Sequence, residues 1–355
     1  MARVVLVTGV SRHVGGAFAR LLTAQAGRHG IERVIGIDVV PPRHDIGSAQ
    51  FVRADIRGPM TARIIEQSQV DTVVHLNVIA TPVAAGGRVS QKEINVLGTM
   101  QLLAACQKAT TLRRLVVKSS AAVYGSSPRD PAMFTEDTGP GSQPRAGFGK
   151  DSVEVEGYVR SLARRRPDID IATLRMANVV GPRIRTSVTD YFSLPVIPAP
   201  LGYSARLQFL HEDDALTALL LATTADDRRP LGVVNVAGDG VLTVQQAAGM
   251  AGRPTVLVPL PLTGLVGRLI QSAGLADFSA DQVQYLAFGR GMDTTRMREV
   301  LQLSPIYSSR EAFADFVAHA GRGLPGCATL AGTLDGAAAG AAAALTSVLR
   351  TAGAR

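Results

Sequence analysis

The residues with the plainest chemistry stand at the start of the chain. An apolar run, Arg3–Thr8 (RVVLVT), enters a tight turn at Gly9–Gly15 (GVSRHVG), and a second run, Arg33–Asp38 (RVIGID), ends on an acid. Glycine permits the sharp turn and lets backbone N–H groups approach an anion. A helix over Gly16–Gln25 points its positive end at the same place. A carboxylate at the end of the second strand accepts hydrogen bonds from ribose hydroxyls. Strand, glycine turn, helix, strand and acid is a layout that holds a nicotinamide dinucleotide, with the pyrophosphate at the helix and the adenosine ribose at Asp38.

Other reactive residue types are sparser. Lys118 interrupts an apolar strand (RLVVKS), and it either enters a site as a cation or pairs with a buried acid. His75 and His211 read as buried, hydrogen-bonded structural residues, and Asp213 and Asp214 (HEDDA) as helix caps rather than metal ligands. Cys106 and Cys327 lie far apart and carry no motif, so neither a disulfide framework nor a metal site is expected, and a reducing cytosol fits. The net charge is +8, part of it in RSLARRR at 160–166. No aromatic residues interleave there, so the arginines read as cations at a helix C-terminus and not as a nucleic-acid patch.

These residues need a scaffold. Further strands are expected at Gln50–Ala54, Thr72–Leu76, Arg114–Ser119, Ile169–Leu174 and Gly232–Val236. Helices are expected at Pro59–Gln67, Glu93–Ala109, Gly149–Arg165, His211–Thr224, Thr243–Ala251 and Asp293–Leu301. Short Val-, Ile- and Leu-rich strands alternating with helices imply an α/β fold, a doubly wound parallel sheet of Rossmann type. The expected division is a dinucleotide-binding domain over 1–182, a smaller C-terminal substrate lobe over 183–320 partly interleaved with the sheet, and an Ala/Gly-rich, poorly ordered tail at 321–355. Tyr191–Leu207, rich in Pro and Gly, reads as loop. The chain opens directly on a strand and has no apolar run long enough to span a bilayer, so a cytoplasmic address without leader or membrane partner is expected.

Several segments, among them VTGVSRHVGG, GIDVV, RADIRG, VVHL, NVLGTMQLLAA, VVKSSAAVYGSS, LRMANVVGPR, LQFLHEDDA and NVAGDG, follow in an order and spacing that resembles the extended short-chain dehydrogenase/reductase superfamily. Within it the chain is similar to the NAD-dependent epimerase/dehydratase branch, from about Val4 to Phe316. The resemblance implies that Thr8, Gly9 and Gly15 shape the pyrophosphate turn, with Ser11, Arg12, His13 and Val14 between them. It implies that Asp38 favours NAD over NADP, and that Asp55 and Ile56 border the adenine. Leu76, Asn77 and Val78 would line the nicotinamide side, with Ser119 nearby, and Asn95 would anchor the active-site strand. Ser120 matches the catalytic Ser/Thr and Asn178 a substrate-contacting asparagine. The implied ligands are NAD and a nucleotide sugar or similar hydroxylated small molecule, and the implied assembly is a homodimer.

The departures are chemical. The middle glycine of the turn is missing: Arg12 or His13 stands there, depending on the register, and Arg12 could replace the close backbone approach with charge. In Phe148–Glu156 the Tyr-Gly-x-Ser-Lys pattern becomes Phe148-Gly149-Lys150-Asp151-Ser152, so the phenol and the ammonium are both absent. Taking Lys150 as the lysine puts Ala146 at the tyrosine position, and Tyr158 lies too far along the helix. Lys118 and Tyr124 are the remaining substitutes. The arginine that grips a diphosphate is displaced to Arg206, with Leu207 in its place. Two functions stay open: an epimerase, dehydratase or reductase relative with an altered acid/base set, or a catalytically silent NAD(H)-binding sensor or scaffold.

Overall fold

In a computed structural model the chain is described at residues 3–80, 85–138, 144, 147–225, 230–272 and 280–320, and the expected tail at 321–355 lies outside them. The chain runs β1 (Arg3–Thr8), α1 (His13–Ala24), α2 (Ala26–His29), β2 (Ile31–Asp38), β3 (Gln50–Arg53), α3 (Met60–Gln67) and β4 (Thr72–His75). Next come α4 (Arg88–Lys92), a π-helical stretch (Glu93–Gly98), α5 (Thr99–Lys108), β5 (Arg114–Ser120), a 3₁₀ turn (Ala121–Tyr124), α6 (Gly147–Arg165) and β6 (Asp170–Met176). The second half contains β7 (Asn178–Val180), α7 (Ser187–Phe192), β8 (Ile197–Pro200), β9 (Arg206–Leu207), β10 (Phe209–His211), α8 (Glu212–Thr224) and β11 (Gly232–Val236). It closes with α9 (Val244–Met250), β12 (Thr255–Val258), α10 (Leu260–Ser272), α11 (Ala280–Phe288), β13 (Gly289–Arg290), α12 (Thr295–Glu299) and α13 (Ser309–His319).

Seven strands form one parallel sheet in the order β11-β6-β5-β4-β1-β2-β3, the doubly wound Rossmann-type fold expected from the sequence. The strands read as unbroken Val/Ile/Leu runs because helices cover both faces. Val5, Val7, Val74, Val116 and Leu174 pack toward Phe18 and Leu22 of α1 and Ala218 and Leu219 of α8. The alternate residues, Leu6, Val73, Leu115 and Val117, pack toward Ile64 and Ile65 of α3, Leu102 of α5 and Val155 and Val159 of α6. A third apolar cluster gathers residues between Val180 and Phe316, where Phe192 and Phe209 both meet Phe313, at 4.9 and 5.2 Å between ring centres.

Four expectations change. Tyr191–Leu207 is not plain loop: β8 lies inside it and pairs with β12. Pro198 and Pro200 sit in that two-stranded sheet, where the edge position spares a donor. The helix expected from Glu93 begins at Arg88. The cap of α8 is His211, whose Nδ1 accepts the Asp213 N–H at 3.2 Å, and Asp214 instead accepts the N–H groups of Ile306 and Tyr307. The helix expected over Asp293–Leu301 is confined to α12.

Candidate active site and cofactor crevice

The crevice lies along the C-terminal edge of the sheet, where β1 gives way to α1. Gly9 has φ +79°, and a Cβ on it would stand 3.1 Å from the Asn77 backbone, so the turn needs glycine. A Cβ on Gly15 would meet the Gly9 carbonyl oxygen at 2.1 Å, so α1 sits directly on the turn. Arg12 occupies the N-cap of α1 without a side-chain cap bond, and no acid stands in the first turn. The first N–H groups of α1 thus face the crevice without a side-chain acceptor. Asp38, 7% exposed, ends β2. Its Oδ2 accepts the Ser11 N–H at 3.0 Å and its Oδ1 the Val39 N–H at 2.7 Å, leaving lone pairs for ribose hydroxyls. Ser11 Oγ bonds the Val40 carbonyl and holds that acid loop to the turn. This tight turn, uncapped helix and terminal acid fit an adenine dinucleotide.

The end of β4 is fixed from three sides. Thr8 Oγ1 accepts the Leu76 and Asn77 N–H groups at 3.1 and 3.3 Å and meets His75 Nδ1 at 2.9 Å, and His75 Nε2 lies 2.8 Å from Thr99 Oγ1. Such a ring is neutral, and burial pushes its pKa down to about 4, with Lys118 adding to the effect. Asn95 clamps both backbone groups of Ile79 at 2.8 Å, which holds the 76–79 segment over the crevice. Val78 and Ile56 are buried. Asp55 binds Arg57 at 2.7 Å, and this hydrogen bond lowers its pKa. His13 Nε2 lies 3.2 Å from Glu212 Oε2, while Arg183 Nε donates to the other oxygen at 2.7 Å. Val14 packs against the core beneath α1.

β5 presents two unlike faces. Ser119 points at α6, where its Oγ donates to Glu156 at 2.6 Å. Glu156, 3% exposed, also takes Arg175 Nε at 3.0 Å and Nη2 at 2.7 Å. Arg175 Nη1 donates to the Tyr124 hydroxyl at 2.9 Å, and that hydroxyl donates to Asn235 Oδ1 at 2.7 Å. Tyr124 is 1% exposed, stacks on Phe134 at 4.6 Å, and burial raises its pKa. Its proton is committed to a structural network, so the geometry does not bring Tyr124 to the crevice. Lys118 and Ser120 share the opposite face with Val116. Lys118 is half-buried. Burial, and then Arg12, pushes its ammonium down to about 8. Among the described residues Lys118 has neither a hydrogen bond nor an ion pair, which removes the buried-acid alternative there.

Ser120 caps the 3₁₀ turn, its Oγ accepting the Ala122 N–H at 3.1 Å. Its own proton has no acceptor among the described residues. Phe148 and Ser152 lie one turn apart on α6, and Ser152 Oγ donates to the Phe148 carbonyl at 2.9 Å. Neither carries charge. Lys150 points outward and pairs with Glu154 at 3.9 Å. Asn178 is half-buried on β7. Arg206 is exposed on β9 while Leu207 is core, so the chain alternation gives no cation at 207.

Sequence reasoning missed the Glu156–Arg175–Tyr124 network, the His13–Glu212–Arg183 link and a further pair, Arg88 on α4 with Asp151 on α6 (Nη2 to Oδ1 2.7 Å). The available signal was charge in apolar settings: Arg175 within TLRM of β6, and Asp151, 1% exposed, in the first turns of α6. Among the described residues no group of three or more His, Cys, Asp or Glu could hold a metal, and no helix is long and apolar enough to cross a membrane.

An uncharacterised protein of Mycobacterium tuberculosis is 46% identical over 329 residues, covering 91% of this chain and 85% of its own. UDP-glucose 4-epimerase of Mycolicibacterium smegmatis is 27% identical over 187 residues, covering 50% of this chain and 56% of its own. Among solved structures, MoeE5 in complex with UDP-glucuronic acid and NAD superposes with a TM-score of 0.68 at 21% identity, covering 90% of this chain and 99% of that one. UDP-glucuronic acid 4-epimerase from Bacillus cereus, in complex with UDP-glucuronic acid and NAD, gives 0.67 at 19% identity, covering 89% and 98%. The family profile described as NAD dependent epimerase/dehydratase matches residues 5–237, more than half of the sequence, and the chain belongs to that family.

Proposed function

We propose that the chain binds NAD along the C-terminal edge of its sheet and performs hydride chemistry of the epimerase/dehydratase type on a hydroxylated small molecule of the nucleotide-sugar class. Asp38 holds the adenosine ribose and opposes a 2′-phosphate. The N-terminus of α1 takes the pyrophosphate, and Leu76, Asn77 and Val78 border the nicotinamide. NAD, when bound, supplies a hydride acceptor. Ser120 holds the substrate oxygen by a hydrogen bond and stabilises charge that develops on it. Asn178 orients the substrate. The observation that carries this reading is Ser120: its oxygen is fixed by the Ala122 N–H while its proton has no acceptor among the described residues.

A second reading, a silent NAD(H)-binding sensor or scaffold, is favoured by α6. Phe148 cannot move a proton, and the Ser152 hydroxyl is spent on the Phe148 carbonyl. One experiment separates the two. The full chain is loaded with unlabelled NAD⁺ and incubated with UDP- and dTDP-sugars carrying deuterium on the carbon that bears the oxidised hydroxyl, and transfer of that label to the nicotinamide is followed by mass spectrometry of the quenched protein. Transfer that falls by about 10²–10³ in Ser120→Ala supports the enzyme. Bound cofactor without transfer, and transfer gained in Phe148→Tyr/Ser152→Lys, supports the silent binder.

A further inference from the structure

We propose that Arg12 and Lys118 together grip the pyrophosphate of the dinucleotide with side-chain charge, in place of the backbone approach that a middle glycine of the turn would allow. The inference rests on the cofactor reading above and deepens it. Strand register supplies the geometry. Thr8 pairs with His75, and His75 pairs with Val117. The next residues along each strand, Gly9, Leu76 and Lys118, therefore form a row across the C-terminal edge of the sheet, with Gly9 and Leu76 just past β1 and β4 and Lys118 near the end of β5, where it pairs with Leu174. Side-chain alternation puts Lys118 on the face of Val116, the face that packs on α1. Arg12 stands at the head of α1. The two cations thus stand on one side of the sheet, one at the N-terminus of α1 and one near the end of β5.

Their surroundings say what belongs between them. The charged and titratable groups acting on Lys118 are Arg12 and the neutral His75. Arg12 is itself desolvated, with Asp38 as its counter-charge. An ammonium placed beside a guanidinium, with no acid bonded to it among the described residues, is an unfavourable arrangement in the empty protein. A doubly charged anion at the head of α1 relieves it, and the pyrophosphate is the part of the dinucleotide with that charge. Lys118 also lies on the side of the sheet away from α6, so it does not stand in for the ammonium missing at Ser152.

The test is calorimetric and independent of turnover. NAD⁺ and ADP-ribose, which share the pyrophosphate and differ by the nicotinamide, are titrated into the full chain at low and high salt. Arg12→Met and Lys118→Met are each expected to weaken both probes equally, by about 10- to 100-fold, the range for loss of a charge-assisted hydrogen bond. Both should also flatten the salt dependence that the wild type shows. Circular dichroism checks that each variant is folded, and Arg12→Met, a change in a half-buried turn outside the sheet, keeps the test open if Lys118→Met is not. Variants that bind both probes as the wild type does overturn the proposal and leave the cofactor reading standing. A loss confined to NAD⁺ also overturns it, because it moves the cations to the nicotinamide. A wild type that binds neither probe overturns the cofactor reading together with this one.

Discussion

The two faces of β5 carry the same kind of residue and treat it oppositely. On the α6 side, Glu156, Arg175, Ser119, Tyr124 and Asn235 form a closed set in which each buried charge has its partner. On the α1 side, Lys118 stands two residues from Ser120, and the charge of Arg12 acts against its ammonium. A buried charge that is paired is part of the frame. One that is left against a like charge at the edge of a crevice is arranged for a ligand. The paired charges thus belong to the packing of α6 on the sheet, and the polar groups without a described partner, Lys118 and Ser120, lie on the opposite face.

Breaking the paired side has the largest expected effect. Glu156→Ala strands Arg175 in the interior and destabilises the protein by about 3–5 kcal/mol in urea unfolding. Adding Arg175→Met to it loses less than the sum of the two single changes.

His75 gives the next effect, through acid. Its pKa is about 4 in the folded chain against an ordinary 6.5. Between those values the unfolded chain binds the extra proton, so stability falls as pH drops from about 6.5 to about 4, by about 3 kcal/mol in all. His75→Gln removes that slope in thermal melts recorded across the window.

Lys118→Met sharpens the contrast with the opposite sign. Removing an ammonium that has no partner among the described residues stabilises the ligand-free chain at pH 7 by on the order of 2–3 kcal/mol. In the wild type the pKa of Lys118 is about 8 folded against 10.5 ordinarily. Below about 8 both states are charged and the penalty is complete. As pH rises from about 8 to 10.5 the unfolded chain holds more protons, so wild-type stability climbs, and Lys118→Met lacks that climb. The smallest effect belongs to the surface of α6: Lys150→Ala, which breaks an exposed pair with Glu154, changes the melting free energy by less than about 0.5 kcal/mol.

What the sequence made legible follows the range of each constraint. Gly9, Gly15 and Asp38 are readable because a turn with positive φ and an acid closing a strand are local demands. The parallel sheet is readable for the same reason, since burial on both faces writes itself as apolar runs. Tyr124 is the contrary case. Its spacing from Ser120 suggests availability, yet Phe134, Asn235 and Arg175 close over it from distant parts of the chain. The partners of Glu156 and Asp151 are likewise set by how α6 packs on β5, β6 and α4. Farther along, α10 (LPLTGLVGRLIQS) is harder to read, because two glycines interrupt a mostly apolar run. The box that starts α13, Ser308 with Glu311 three residues on, was a readable signal, and the structure shows both of its bonds.

The most direct measurement is the binding of NAD⁺ to the purified full chain, followed by heat. The account predicts saturable binding of one dinucleotide per chain, tighter for NAD⁺ than for NADP⁺, with an affinity that falls as salt is raised. No heat and no shift in melting temperature with saturating NAD⁺, NADH, NADP⁺ or NADPH would contradict it.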